Sequence, residues 1–264
     1  MRVYNNEPFI RRRARLGKWG SLGGLGILFI GLLISFYEQY FYLSFACLIV
    51  GFLVSQLGTH NAAIFTRSPR QHERLEQALK GLDDRYVLFN YMLPAAHVLL
   101  GPHGLMIFRL KDQPGEIECR GDRWKQRKTA LRILNLFGPE GLGNPTRDLE
   151  DEFRMLTRFL EKQGIPLDGV PVEKVVLFLS PAVKLTLEEP TVTVLLAKQL
   201  KPYLREPARR KQFRATERKA FQARLEAALG LAPAPAPRRA RKRSRDAPLP
   251  IPRVPPAGGG VGLG

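Results

Sequence analysis

The chain has 264 residues and a formal net charge of +18 at pH 7. This length allows one globular domain of ordinary size with anchoring and tail segments, and it excludes a second full catalytic domain. The positive excess predicts attraction to a phosphate-rich partner, either nucleic acid or anionic lipid. Cys47 and Cys119, the only cysteines, lie in an apolar run and in a predicted strand, which excludes a disulfide framework and a metal knuckle.

Two apolar runs, residues 21–37 and 40–58, are strongly interrupted only by Glu38 and Gln39. At about 1.5 Å per residue they span about 25 and 28 Å, close to the ~30 Å hydrocarbon core of a bilayer. They predict a transmembrane helical hairpin over residues 21–58, with the lipid bilayer as its partner. A cleaved signal peptide would have one apolar run, and the scarcity of polar residues disfavours a buried soluble hairpin.

Basic residues flank this hairpin on one side only, before its first run and after its second. The positive-inside rule therefore places both termini in the cytoplasm of a multi-pass protein of the cell membrane. Residues 1–20 are interpreted as a basic cytoplasmic N-terminus and residues 59–70 as a linker. The flanking basic residues are Arg11, Arg12, Arg13, Arg15, Lys18, Arg67 and Arg70.

The next segment has the pattern of an α/β domain, over residues 71–204. Leucines at helical spacing predict a helix over 71–81, and Asn144 with Pro145 predicts the start of a helix over 146–163. Short apolar runs bounded by Gly, Pro and turn residues predict strands between and after these helices, and a last helix follows. The predicted strands lie at 86–93, 97–100, 105–110, 116–120, 172–179 and 191–195, and the last helix at 197–204.

The C-terminal part is predicted to be a charged amphipathic helix over 205–230, followed by a disordered tail rich in Pro, Arg and Gly over 231–264. A basic cluster in this tail suits anionic lipid at the inner leaflet, or nucleic acid bound non-specifically. A solubilising tail without a ligand is the alternative. The cluster consists of Arg238, Arg239, Arg241, Lys242, Arg243 and Arg245.

A succession of short motifs lies between the first helix and the helix after Asn144. In chain order it comprises Glu73, Leu93-Pro94, Ala96-His97-Val98, Gly104, Arg109-Leu110-Lys111, Gly115, Trp124 and Asn144-Pro145-Thr146-Arg147-Asp148. The succession resembles NERD, the nuclease-related domain of the PD-(D/E)XK restriction-endonuclease-like superfamily, over roughly residues 71–203. The resemblance implies a restriction-endonuclease-like mixed sheet flanked by helices.

The departures from this family fall on its chemistry. Metal-dependent cleavage of a phosphodiester uses acidic side chains to hold the ion and a lysine beside them. Ala96 corresponds to the motif aspartate, Arg109 to the motif glutamate and Asp148 to the motif glutamine, while Glu73, His97 and Lys111 keep their types. Two residues apart on a strand, Arg109 and Lys111 share a face, so the guanidinium would repel a divalent ion.

We therefore expect a catalytically inactive relative without a cofactor, which binds nucleic acid or another anionic partner. The candidate binding residues are Lys111, Arg109, His97 and the basic tail cluster, although Arg109 and Lys111 could simply border solvent and His97 could be structural. One alternative is an active membrane-tethered nuclease, dependent on Mg²⁺ or Mn²⁺, with ligands migrated to Asp112, Glu116 or Glu118. The other is a membrane-associated scaffold for protein interactions.

Overall fold

The elements of the chain include the predicted helices and strands and three further strands. The structure, a computed structural model, describes residues 1–66, 68–127, 141–206 and 213–231. Strands in these ranges are β1 Arg2–Asn5, β2 Val87–Asn90, β3 His97–Gly101, β4 Gly104–Lys111, β5 Gly115–Arg120, β6 Arg123–Gln126, β7 Val172–Phe178, β8 Val183–Glu188 and β9 Thr193–Leu196. The α-helices there are α1 Glu7–Ile34, α2 Phe41–Phe65, α3 Gln71–Leu79, α4 Pro145–Lys162, α5 Ala197–Arg205 and α6 Ala215–Ala228.

Six strands form the main sheet, in the order β1-β2-β3-β4-β7-β9. β3 is antiparallel to both its neighbours, whereas the other five strands run in one direction. Their carboxyl ends therefore lie along one side of the sheet, which we call the carboxyl edge. These strands end at Asn5, Asn90, Lys111, Phe178 and Leu196. The predicted mixed sheet is thus confirmed.

Helices cover both faces of this sheet, as predicted. Successive residues of a strand point to opposite faces, so each strand contributes to two cores. Phe108 of β4 belongs to the core formed with α3 and α5, together with Leu75. Ile107 belongs to the core formed with α4 and α6, together with Leu156. The α3 face and the α4 face are consequently separate environments.

A second sheet, in the order β6-β5-β8, packs on the α4 core. Ile117 of β5 is buried there, and Trp124 of β6 packs beside it. The indole N–H of Trp124 donates a hydrogen bond to the hydroxyl of Thr146 at 2.9 Å, which ties this sheet to the start of α4. The strand predicted over 116–120 is β5 and belongs to this second sheet.

One predicted strand is shorter than expected. The run over 86–93 is a strand only as far as Asn90, because Tyr91 has a φ of 56°. This left-handed conformation is incompatible with a continuing strand. The Tyr91 N–H instead donates to the Ala96 carbonyl at 2.7 Å and closes a loop before β3.

The N-terminal segment, interpreted from the sequence as a basic cytoplasmic N-terminus, also contains a strand and the start of a helix. Strand β1 pairs in parallel with β2 and makes the N-terminus part of the main sheet. The N-terminal ammonium donates to the carbonyl of Leu82 at 3.1 Å. Helix α1 begins at Glu7, well before residue 21, because the Asn6 side chain caps it by accepting from the Phe9 N–H at 3.1 Å.

The two N-terminal helices form the predicted hairpin. Both are long and apolar enough to cross a membrane, on length and composition. Large apolar side chains on their outer surfaces are exposed, as in Leu25 and Phe29, at 62% and 60%. The cytoplasmic placement of the termini stays a prediction.

Glycines line the contact between α1 and α2. A Cβ atom on Gly17 would lie 2.5 Å from the Ala62 nitrogen, and one on Gly58 would overlap the backbone of Gly20. Small residues allow helix backbones to approach this closely. Gly23 is different, since a Cβ there would meet nothing within 4 Å.

The hairpin joins the domain at the carboxyl edge of the main sheet. The Tyr91 ring stacks on Phe9 of α1 at a centroid distance of 5.7 Å and contacts Phe65 of α2 at 5.4 Å. The Asn6 amide donates to the Tyr91 carbonyl at 2.9 Å. Ile10 is fully buried in the first turns of α1. The hairpin is therefore packed on the domain through these side chains.

Gly58→Ala is expected to force the hairpin helices apart and to destabilise their packing by about 1–3 kcal/mol, because the new methyl group overlaps the α1 backbone. The midpoint of thermal unfolding of the full chain in detergent measures this loss. Gly23→Ala is the matched control and should be neutral or slightly stabilising, since alanine favours helix more than glycine. Equal effects of both substitutions would contradict the described packing.

Candidate functional site

The candidate site lies at the carboxyl edge, where β4 presents two cationic side chains to α4. Arg109 and Lys111 alternate with Leu110, so they share the α4 face, as the sequence predicts. The Lys111 side chain is only 3% exposed and that of Arg109 is 27% exposed. Cations so enclosed require acidic partners.

Helix α4 supplies those partners. The Asn144 side chain caps the helix by accepting from the Arg147 N–H at 3.1 Å. Asp148 and Glu152 follow four residues apart and therefore lie on one face of the helix. This face is turned towards β4.

Arg109 bridges the two acids of α4. Its Nη2 lies 3.1 Å from Asp148 Oδ2, and its Nη1 lies 3.0 Å from Glu152 Oε1. The Nζ of Lys111 is 3.7 Å from the same Asp148 oxygen. We call Arg109, Lys111, Asp148 and Glu152 the Arg109 cluster. Its two cations and two carboxyl groups balance in charge when all are ionised.

Glu152 occupies the most enclosed position of the cluster's acids, with its side chain 10% exposed. Burial raises the pKa of its carboxyl group, while Arg109 and the backbone N–H of Ala96 act in the opposite direction. Glu152 therefore interacts with both Arg109 and Ala96. These are the two positions at which the family has acidic side chains on strands.

The donor set of the cluster does not suit Mg²⁺ or Mn²⁺, which prefer several oxygen ligands with room for waters. The Arg109 guanidinium lies against both acids, and Ala96 offers only a methyl group. Within the described ranges, no group of three or more His, Cys, Asp or Glu side chains is placed to hold a metal ion. The cluster is instead arranged as a network of ion pairs.

Glu73 lies on the other side of the sheet, at the start of α3. Its Oε2 accepts a hydrogen bond from the Arg70 N–H at 2.8 Å, and its Oε1 is 3.9 Å from the Arg70 guanidinium. These contacts stabilise the first turn of α3, where an acidic side chain also favours the helix dipole. The glutamate that this chain shares with the family motif therefore has a local structural role here.

His97 also belongs to the α3 face, in the opposite direction from Arg109. Its Nδ1 is 2.8 Å from the Asn90 amide oxygen, and its ring contacts Tyr91 at a centroid distance of 4.8 Å. Burial, with smaller contributions from His72 and Arg109, lowers the pKa of His97 to about 3. A neutral imidazole in this setting orders the hairpin junction and does not supply charge for phosphate binding.

The three candidate migrated ligands are held in other ion pairs. Asp112 lies 2.5 Å from Arg74 of α3. Glu116 and Glu118 of β5 lie 3.8 and 3.0 Å from the Arg127 guanidinium. The structure therefore pairs Asp112 with a side chain of α3, and both Glu116 and Glu118 with Arg127. The basic tail cluster and Arg67 lie outside the described residues.

Sequence reasoning missed Glu152 and treated Asp148 only as a departure from the family. The signal was present in the helix pattern. Leu149, Leu156 and Leu160 are fully or almost fully buried, and Glu152 falls three residues after the first and four before the second. A carboxylate on the apolar stripe of a helix predicts a buried cationic partner.

Comparison with known families gives a match over the part of the chain that contains this site. The family model of NERD, the nuclease-related domain, matches residues 70–179. The chain contains a nuclease-related domain. The match runs from the start of α3 to the end of β7 and includes the whole Arg109 cluster. The searches of curated proteins and of solved structures gave no match.

The nuclease-related domain of this chain packs against elements outside the matched segment. β1 and β9 extend the main sheet on either side. Helix α6 contributes Phe221 and Leu225 to the α4 core. Arg2 and Tyr4 of β1 each contact Glu226 of α6 at 3.4 Å. The N- and C-terminal elements are therefore joined across the domain.

Arg109→Leu is expected to lower the free energy of unfolding by about 2–3 kcal/mol near pH 7, because Glu152 would remain buried without its cation. Loss of the cation also moves the pKa of Glu152 further upward. A raised folded-state pKa gives stability at low pH that is lost as the pH rises through it. The loss of unfolding free energy caused by Arg109→Leu should therefore be smaller near pH 5 than near pH 7.

Chemical denaturation of the full chain at both pH values measures this difference. The control is the double variant Arg109→Leu/Glu152→Gln, in which no buried carboxylate is left unpaired. It should recover part of the stability and lose the pH dependence. A deficit of Arg109→Leu that is the same at both pH values would argue against a buried ion pair.

Proposed function

We propose that this chain is a membrane-anchored nuclease-related domain that binds nucleic acid without cleaving it. The observation that carries the proposal is the Arg109 guanidinium between Asp148 and Glu152, 3.1 and 3.0 Å from their oxygens. It places positive charge where a nuclease of this type needs carboxylates around a metal ion. The family match to residues 70–179 supports a nuclease-related origin.

Electrostatics argue against cleavage by this site. A divalent cation entering the Arg109 cluster would have to displace Arg109 and Lys111 from two acids that already balance them. Removing one partner from an enclosed ion pair costs several kcal/mol. The alternative with migrated ligands is less favoured, because Asp112 is paired with Arg74 and Glu116 and Glu118 with Arg127.

The hairpin supports the membrane anchor. Its helices are long and apolar enough to span a bilayer, and apolar side chains cover their outer surfaces. The basic residues at the start of α1 are solvent-exposed and precede the apolar stretch. By the positive-inside rule, the domain lies on the cytoplasmic side of the cell membrane. A soluble two-helix hairpin would bury these apolar side chains against the domain.

The charge of the chain supports an anionic partner. Residues 232–264 carry seven Arg or Lys and one Asp, so a formal excess of +12 remains on residues 1–231. Cations that contact phosphates release counterions, which makes nucleic-acid binding strongly dependent on salt. Because the excess does not reside in the tail alone, the folded part is expected to bind as well.

A cleavage assay tests the absence of activity. The purified full chain in detergent is expected to leave plasmid and single-stranded DNA intact with Mg²⁺ or Mn²⁺, and Lys111→Ala should be indistinguishable from it. The full chain is required because β1 is part of the main sheet. Metal-dependent cleavage that disappears in Lys111→Ala would overturn the proposal.

The variant Ala96→Asp/Arg109→Glu provides a positive comparison for metal binding. It adds two carboxylates beside Asp148 and Glu152 and removes the guanidinium. We expect it to bind Mn²⁺ measurably by calorimetry, whereas the unaltered chain shows no heat of binding. Equal Mn²⁺ binding by both proteins would contradict the assigned role of Arg109.

Binding to DNA is tested by fluorescence anisotropy of a labelled single strand against salt concentration. The chain truncated after residue 231 should still bind, with a smaller salt dependence than the full chain, because the tail cations no longer contact phosphates. Binding that vanishes on truncation would assign the interaction to the tail alone. Failure of the full chain to bind would reject nucleic acid as the partner.

A further inference from the structure

A groove between α3 and α5 is not used by the Arg109 cluster. It opens at the carboxyl edge on the α3 face and has a volume of about 410 Å³. Polar and cationic side chains from both helices line it, with the end of β7 between them. The lining residues are Arg74, Gln77, Ala78, Leu179, Ala197, Lys198 and Lys201.

Parallel strands end at this groove. Asp112 follows β4, Leu179 follows β7 and Ala197 follows β9. In open α/β sheets, ligands bind outside the carboxyl ends of the strands, where helices on the sheet leave a crevice. The position of the groove in the fold is therefore one that suits a ligand.

The cations of the groove differ in their partners. Arg74 is fixed, since its guanidinium lies 2.5 Å from Asp112 and donates to the Leu179 carbonyl at 2.6 Å. Lys198 is exposed and Lys201 is half-buried. Neither lysine has an acidic partner in the described part of the chain. The groove therefore carries an excess of positive charge, in contrast to the balanced Arg109 cluster.

We infer that this groove binds a phosphate group of a nucleic-acid strand, an inference that rests on the proposed function. Lys198 and Lys201 supply charge to the phosphate, and the Gln77 amide supplies a hydrogen-bond donor. Both lysines come from α5, whose first turn also presents backbone N–H groups. Leu179, directly after β7, also lines the groove.

The attachment of the hairpin favours a nucleic-acid phosphate over that of a lipid. The hairpin joins the domain at the carboxyl edge, and α1 runs unbroken from Glu7. The twelve residues from Glu7 to Lys18 span about 18 Å along the helix axis. The headgroup layer of a leaflet is only about 5–8 Å thick. The groove thus lies on the cytoplasmic side of the headgroup layer, where a nucleic-acid strand in the cytoplasm can reach it.

The charge-reversal variant Lys198→Glu/Lys201→Glu tests this site in the full chain, in detergent. Its affinity for a labelled oligothymidine should fall by about tenfold or more at moderate salt. The slope of log binding constant against log salt concentration should decrease in magnitude by about 1.4. This is about 0.7 for each phosphate that a lysine no longer neutralises. Acidic residues in the first turns of a helix are favourable, so α5 is expected to remain folded. Circular dichroism checks this.

Arg158→Glu/Lys162→Glu is the matched control, with the same change in net charge. Both residues are exposed, and they lie about 15 and 21 Å along α4 from Asp148, away from the carboxyl edge. Its affinity should stay within about twofold of the unaltered chain, since the groove keeps both of its lysines. Equal losses in the two variants, or none in either, would overturn the groove while leaving the proposed function intact.

A second titration distinguishes a nucleic-acid phosphate from a lipid phosphate. The same variants are titrated with short-chain phosphatidylserine in place of the oligonucleotide. If Lys198→Glu/Lys201→Glu loses only lipid binding, the groove belongs to a lipid headgroup and the inference is overturned. If the unaltered chain does not bind the oligonucleotide at all, the proposed function fails, and the groove assignment with it.

Discussion

The bridge from Arg109 to the acids of α4 joins the central strand of the nuclease-related domain to its largest helix. It fixes the charge layout of the site, because the carboxylates lie on the helix and the cations on the strand. This is the reverse of a site that holds a divalent ion with strand acids. Glu152 is enclosed against Ala96 and Arg109, so its burial depends on the guanidinium. The same ion pairs therefore hold α4 on the sheet and place cations against both of its acids.

The second constraint is the continuity between the apolar hairpin and the main sheet. β1 pairs with β2, and only Asn6 separates it from α1. Tyr91 contacts both hairpin helices where β2 ends. In a chain anchored through this hairpin, the carboxyl edge faces the membrane. A ligand at this edge approaches between the domain and the lipid surface, and the length of the first turns of α1 sets the space available to it.

Sequence patterns predicted much of this fold because its helices and buried strands have strong periodicity and clear caps. β1 was missed because four residues carry too little pattern, and its partner β2 lies more than eighty residues away. β8 had a usable signal in the alternation of Val183, Leu185 and Leu187. The shared face of Arg109 and Lys111 followed from strand geometry, whereas their partners required the position of α4. The order of the motifs does not show that His97 lies on the opposite face of the sheet from Arg109 and Lys111. Neighbouring residues of a strand face opposite sides, so closeness in a motif does not imply a shared face.

In the function proposed here, absence of cleavage and capacity for binding have different physical origins. A charge-balanced cluster gives little counterion release, so under this proposal the Arg109 cluster is expected to contribute little to affinity for a polyanion. Lys198 and Lys201 lie on the other face of the sheet and are not neutralised by neighbouring acids in the described ranges. Arg74 connects the two regions, because it holds Asp112, the residue after Lys111. Substitutions at the motif positions could thus remove metal chemistry without removing the cations of the groove.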